Sequence, residues 1–105
     1  MLTIPAFACD LPLDEARRFA HEQTVSDPAA RVVEFQGADA ERIMAVINDN
    51  APATDQHYDV ILVISWADIH IASIALAKGD CVVTATRMPE ALFEWLIDQA
   101  FGAGS

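Results

Sequence analysis

Between residues 58 and 101, apolar and polar positions fall into four blocks with very short joins. Tyr58-Asp59-Val60-Ile61-Leu62-Val63-Ile64-Ser65 is a nearly unbroken apolar run, as in a strand buried on both faces. Residues 67–78 carry alanine at 67, 72, 75 and 77 and predict a helix closed by Gly79. Cys81-Val82-Val83-Thr84-Ala85-Thr86 predicts a second apolar strand, and residues 89–101 a second helix. This alternation predicts an α/β fold: a small single-domain sheet of three to four mostly parallel strands with helices on both faces.

Residues 69–77 carry a competing signal. Ile69, Ile71 and Ile74 favour a strand that turns at Lys78-Gly79-Asp80 and pairs with residues 81–86. The alternative fold is then α+β, with an antiparallel meander over residues 58–87 and packed helices. Ser65 and Asp68 at capping positions, and Lys78 ahead of Gly79, tip the reading towards the helix.

Upstream, residues 2–8 predict a short edge strand, with Pro5 tolerated only at an edge. Asp10 is an expected N-cap and Pro12 sits in the first turn of a helix running to about Thr24. Asp14 and Glu15 suit its dipole, and Asp14 with Arg18 forms a favourable i,i+4 pair. Leu13, Ala16, Phe19 and Ala20 form its apolar face. Asp27-Pro28 forces a turn. Residues 31–35 predict a strand ended by Gly37. Asp39 caps a helix to Asn50, with Ala40, Ile43, Met44 and Ile47 on one face. Residues 51–57 are the one evident loop, and there is no internal repeat.

Composition narrows the class. The 105 residues fit one domain, and 53% hydrophobic content excludes disorder, collagen and coiled coil. The apolar run at residues 60–64 is too short to cross a bilayer. The N-terminus lacks the basic start of a signal peptide, so a cytoplasmic protein is expected. A net charge of −10 repels nucleic acid and anionic membrane and suits a basic protein partner. Cys9 and Cys81 form no CxxC and read as two small hydrophobes.

Two surfaces call for cover. A helix over residues 66–78 is apolar nearly all round, with Trp66, His70, Ser73 and Ala77 on one stripe. So small a domain has few elements to bury it, and a second subunit is the simplest source; a homodimer is expected. In the last helix Leu92, Phe93, Leu96, Ile97, Ala100 and Phe101 span the apolar face. Trp95 falls outside that arc, beside Asp98 and Ala91, as an interface anchor would. Trp66, His70 and Trp95 are therefore candidate interface residues.

Chemistry is sparsely marked. In a parallel sheet, ligands bind outside the carboxyl ends of strands, which points to Ser65, Thr86 and Arg87. Arg87 beside a helix N-terminus suits a carboxylate or phosphate. Ser65, Asp68 and His70 do not make a triad: Asp68 and His70 diverge on a helix, and Ser65 lacks the GxSxG elbow. His21 and His57 are isolated, with no HExxH pattern, and the glycines make neither a P-loop nor GxGxxG. No cofactor, metal-ligand set or catalytic residue is indicated.

Asp68-Ile69-His70-Ile71-Ala72-Ser73-Ile74-Ala75-Leu76-Ala77-Lys78-Gly79, followed by Cys81-Val82-Val83-Thr84, resembles the third acidic segment of PIN-domain ribonucleases. The resemblance covers residues 68–84 of 105. It implies a helix opened by a metal-binding Asp68 and a divalent-metal nuclease using Asp10 as well. The N-terminal stretch Ala6-Phe7-Ala8-Cys9-Asp10 departs from the family's first strand. Ala85 and Thr86 stand where that family places a further acid.

Three functions follow, in order. The first is a self-associating interaction module without catalytic activity. The second is a small-molecule or anion binder at Ser65, Thr86 and Arg87. The PIN-like nuclease comes last.

Overall fold

The computed structural model describes residues 11–50 and 58–102. Its elements are β1 (Leu11–Pro12), α1 (Leu13–Ser26), β2 (Ala30–Gln36), α2 (Gly37–Asn50), β3 (Val60–Trp66), β4 (Ile71–Lys78), β5 (Cys81–Pro89) and α3 (Glu90–Ala100). The strands form one sheet in the order β1-β5-β4-β3-β2, and every neighbouring pair is antiparallel. The fold is therefore α+β. The mostly parallel α/β sheet is overturned, and the antiparallel meander is the arrangement found.

The deciding segment is residues 67–78. No helix forms there. Residues 67–70 make a tight turn, in which the Ile69 N–H donates to the Trp66 carbonyl at 3.3 Å, and β4 follows. A parallel neighbour needs a crossover of a dozen or more residues, which a four-residue turn cannot supply. β4 alternates instead. Ala72, Ile74 and Leu76 are buried on one side, while Ile71, Ser73 and Ala75 are half-buried on the other. The alanines that favoured a helix serve the sheet. Ala77 is fully buried and packs with Ala16 and Ala20, so small side chains let α1 lie close to the strands.

Two apolar clusters flank the sheet. On one face α2 and α3 bring Ala40, Ile43, Met44 and Leu96 onto Ile61, Val63, Ala72 and Ile74. On the other, α1 alone brings Leu13, Ala16 and Ala20 onto Val60, Leu62, Ile64 and Val82. β3 is buried from both sides because it sits between these clusters, which explains its continuous apolar sequence.

Tight joins set the register. Gly37 takes φ of 57° where β2 passes directly into α2. Gly79, at φ 63°, opens the two-residue Gly79-Asp80 loop between Lys78 and Cys81. Positive φ at the first loop position is the II′ pattern, and here it needs glycine. The carboxylate of Asp59 accepts the Gly79 N–H at 2.9 Å, tying this loop to the entrance of β3.

Several local expectations change. Asp10 and the edge strand over residues 2–8 lie outside the described residues, as does the loop over residues 51–57. α1 begins at Leu13 after Pro12, with no side-chain cap. Asp14 pairs with Arg17, at 3.2 Å, rather than with Arg18. Cys81 is disulfide-bonded, not a free small hydrophobe, and its partner lies outside the described residues. No described helix is long and apolar enough to cross a membrane.

Candidate interaction surface

The two sheet edges are built differently. On β2, Arg17 reaches from α1 and donates from Nε to Oε1 of Glu34 at 2.9 Å and from Nη2 to Oε2 at 2.7 Å. Gln36 Nε2 donates to the same carboxylate. Arg17 holds the Glu34 carboxyl below its ordinary value, against a smaller opposing effect of burial. A charged cluster on an edge strand blocks pairing with another chain.

Among the described residues, β5 has no such guard. β1 pairs with it only at Val82 and Cys81. Among the described residues, nothing pairs with the outer side of residues 83–89. Residues 83–87 are all exposed, so helices cover neither face of this stretch. Arg87 is its only charged residue.

The hydrogen-bond phase of β5 follows from its neighbours. The Glu90 N–H donates to the His70 carbonyl at 2.9 Å, in register with the β4–β5 ladder. Bonded pairs recur every second residue in an antiparallel ladder. Met88, Thr86 and Thr84 thus spend their backbone groups on β4. Ala85 and Arg87 direct theirs outward. The β2–β3 side gives the same phase, because the Ala67 N–H donates to the Ala29 carbonyl at 3.2 Å, in register with that ladder. Pro89, which has no N–H, falls at an outward position, where proline costs no ladder bond.

α3 continues this surface. Phe101, at its C-terminal end, stacks on Phe35 of β2 with ring centroids 5.8 Å apart. The helix therefore leans across the sheet towards β2, and its opposite flank turns to the β5 side. At about 100° per residue, Leu92, Trp95 and Gln99 share that flank. Leu92 is 48% exposed and Trp95 43%. Asp98 borders this flank beside Trp95, and Glu94 lies further round the helix.

The candidate site residues scatter. Thr86 pairs with Ile74 and faces the α2–α3 side, whereas Arg87 pairs with Ser73 and faces the α1 side. Ser65 is two strands away, paired with Ala72. An antiparallel sheet has no common rim of strand carboxyl ends, so the geometric reason for grouping Ser65, Thr86 and Arg87 is gone. Trp66 is half-buried against the α1-side cluster. His70 is exposed in the turn at φ 56°, with Nδ1 3.7 Å from Oε1 of Glu90. Trp66 and His70 no longer share a helix stripe, and the argument for a partner covering that helix falls with it. Trp95 keeps its place as an exposed aromatic. Asp68 is exposed in the turn rather than opening a helix. The helix that the nuclease resemblance implied is absent.

Ala85 and Leu92, which belong to this surface, are not among the candidate residues expected from sequence. The uncharged run Val83-Thr84-Ala85-Thr86 was visible, but only the strand order shows that it is an edge. Two cavities lie among the described residues. One, of about 300 Å³, lies beside α2, lined by Glu41, Met44, Asn48, Tyr58 and Asp59. The other, of about 130 Å³, is an apolar groove between α1 and the sheet, lined by Phe19, Leu62, Ile64 and Ala85 among others. Neither gathers a nucleophile and a base. Among the described residues no group of three or more His, Cys, Asp or Glu is placed to hold a metal. Compared with known proteins, the chain matches no family model, no curated protein and no solved structure.

Proposed function

We propose that this chain is a self-associating interaction module that works as a homodimer, through protein contact rather than catalysis. One observation carries the reading: the exposed Leu92–Trp95 flank of α3 runs beside a sheet edge that is unpaired among the described residues. A large exposed aromatic next to exposed aliphatic surface is the usual composition of an interface anchor. The scattered polar residues offer no competing site.

The net charge of −10 on each copy opposes association at long range. Salt screens that repulsion over about 10 Å at 0.1 M, so dimerisation should strengthen with ionic strength. The Cys81 disulfide counts against a reducing compartment such as the cytoplasm.

Light scattering across a concentration series tests the proposal. The expected mass is twice that of the 11.4 kDa chain at moderate salt. A monomer at every concentration and salt level rejects it.

A further inference from the structure

We infer that two copies join through β5 itself, antiparallel about a two-fold axis at Thr86, to make one continuous ten-stranded sheet. This rests on the self-association reading and specifies its surface. The argument is one of hydrogen-bond supply. Ala85 and Arg87 are the two β5 residues whose N–H and C=O both point outward without a partner among the described residues. Outward residues must meet outward residues across an antiparallel ladder.

Three symmetric registers are open. Centring on Ala85 pairs Ala85 with its own copy and sets Arg87 opposite Val83, which sits at the register shift where Leu76↔Thr84 gives way to Ala77↔Val82. The ladder there is locally disrupted, so that register completes only the central bonds. Centring on Arg87 places two guanidinium groups directly opposite, a destabilising like-charge pair. Centring on Thr86 pairs Ala85 with Arg87 of the second copy, twice. Both N–H groups and both carbonyls of each copy are then satisfied, and Arg87 faces a small alanine.

The side chains agree with this register. A two-fold perpendicular to the sheet keeps both α2–α3 layers on the same face. Thr86 meets its own copy there, and Thr84 lies opposite Met88, pairings that suit neighbouring strands. The α3 flanks that carry the exposed Leu92 and Trp95 lie on the β5 side of each copy and turn towards the second. The β2 edge is the poorer candidate, because the Arg17–Glu34 ion pair sets charged groups beside it.

Two variants test the register beside light scattering of the wild type. Ala85→Pro removes an N–H that β4 does not use. It should keep the circular dichroism of the wild type and weaken dimerisation about 30-fold or more, since two symmetric bonds are lost. Thr86→Cys should cross-link into a dimer on mild oxidation, because directly opposed residues lie within disulfide reach. Thr84→Cys should cross-link only when mixed with Met88→Cys. A wild-type dimer whose Thr86→Cys variant stays uncross-linked overturns this interface while leaving self-association standing. If Ala85→Pro does not fold, the cysteine pairs decide alone. A wild-type monomer ends both readings. A monomer that dimerises once residues 1–8 are deleted shows that the chain's own N-terminal segment takes the edge, and also overturns the inference.

Discussion

Arg17 of α1 holds Glu34 of β2 in a two-pronged ion pair, with contacts of 2.9 Å and 2.7 Å. It is the one side-chain ion pair among the described residues that joins a helix to the sheet. Its Glu34 carboxyl titrates below its ordinary value of 4.5 because the guanidinium stabilises the ionised form. A lowered folded-state value means stability that is present above the unfolded value and lost as pH falls through the folded one. The pair is partly solvated, so its worth is about 1 kcal/mol. Arg17→Ala and Glu34→Gln should each lower the unfolding free energy at pH 7 by that amount. Below the acid titration the difference from wild type should vanish. A Glu34→Gln protein that tracks the wild type at every pH would show that the pair contributes nothing.

Gly79 should resist replacement for backbone reasons alone. An added Cβ meets nothing within 4 Å, yet φ is 63°. Gly79→Ala should therefore cost about 1 kcal/mol from the positive φ, with no clash against the rest of the fold. Asp59→Ala should cost a similar amount by removing the acceptor of the Gly79 N–H. Urea denaturation of both single variants and the double variant checks this. The two changes act on one loop, so their effects should not add fully.

Ala77 should refuse a larger side chain. It has no exposed surface and lies between the sheet and α1, against Ala16 and Ala20. Ala77→Leu should destabilise by about 1–3 kcal/mol through overpacking. On a helix of the kind expected from sequence, the same change would fill space at little cost. A thermal midpoint unchanged by Ala77→Leu would contradict the close approach of α1.

Trp95 and Leu92 should matter to association and little to folding. Trp95→Ser and Leu92→Ser should each leave the unfolding free energy of the monomer within about 0.5 kcal/mol, as exposed positions do. Both should weaken self-association, and sedimentation at several concentrations reads that directly. A large loss of stability in either variant would place these residues in the core instead.

Periodicity alone was enough to find most of the elements. The 3.6-residue spacing of Ala40, Ile43, Met44 and Ile47 marked α2, and the spacing of Leu92, Phe93, Leu96 and Ile97 marked α3. The continuous run Val60–Ile64 marked a strand covered on both faces, and Gly79 marked a chain reversal whichever way residues 67–78 folded. The exposed position of Trp95 was legible from its place outside the apolar arc. Residues 67–78 were not decidable locally, because alanine and isoleucine alternate there in a pattern that fits either period. The sheet settled them. As a strand, β4 bonds to β3 on one side and β5 on the other, and its alanines admit α1 at close range. Strand direction, and with it the loss of a common ligand rim, also came only from tertiary structure. So did the identity of the edge left open among the described residues. Whether a backbone N–H is paired depends on which strand lies alongside, and no side-chain pattern within β5 records its neighbour.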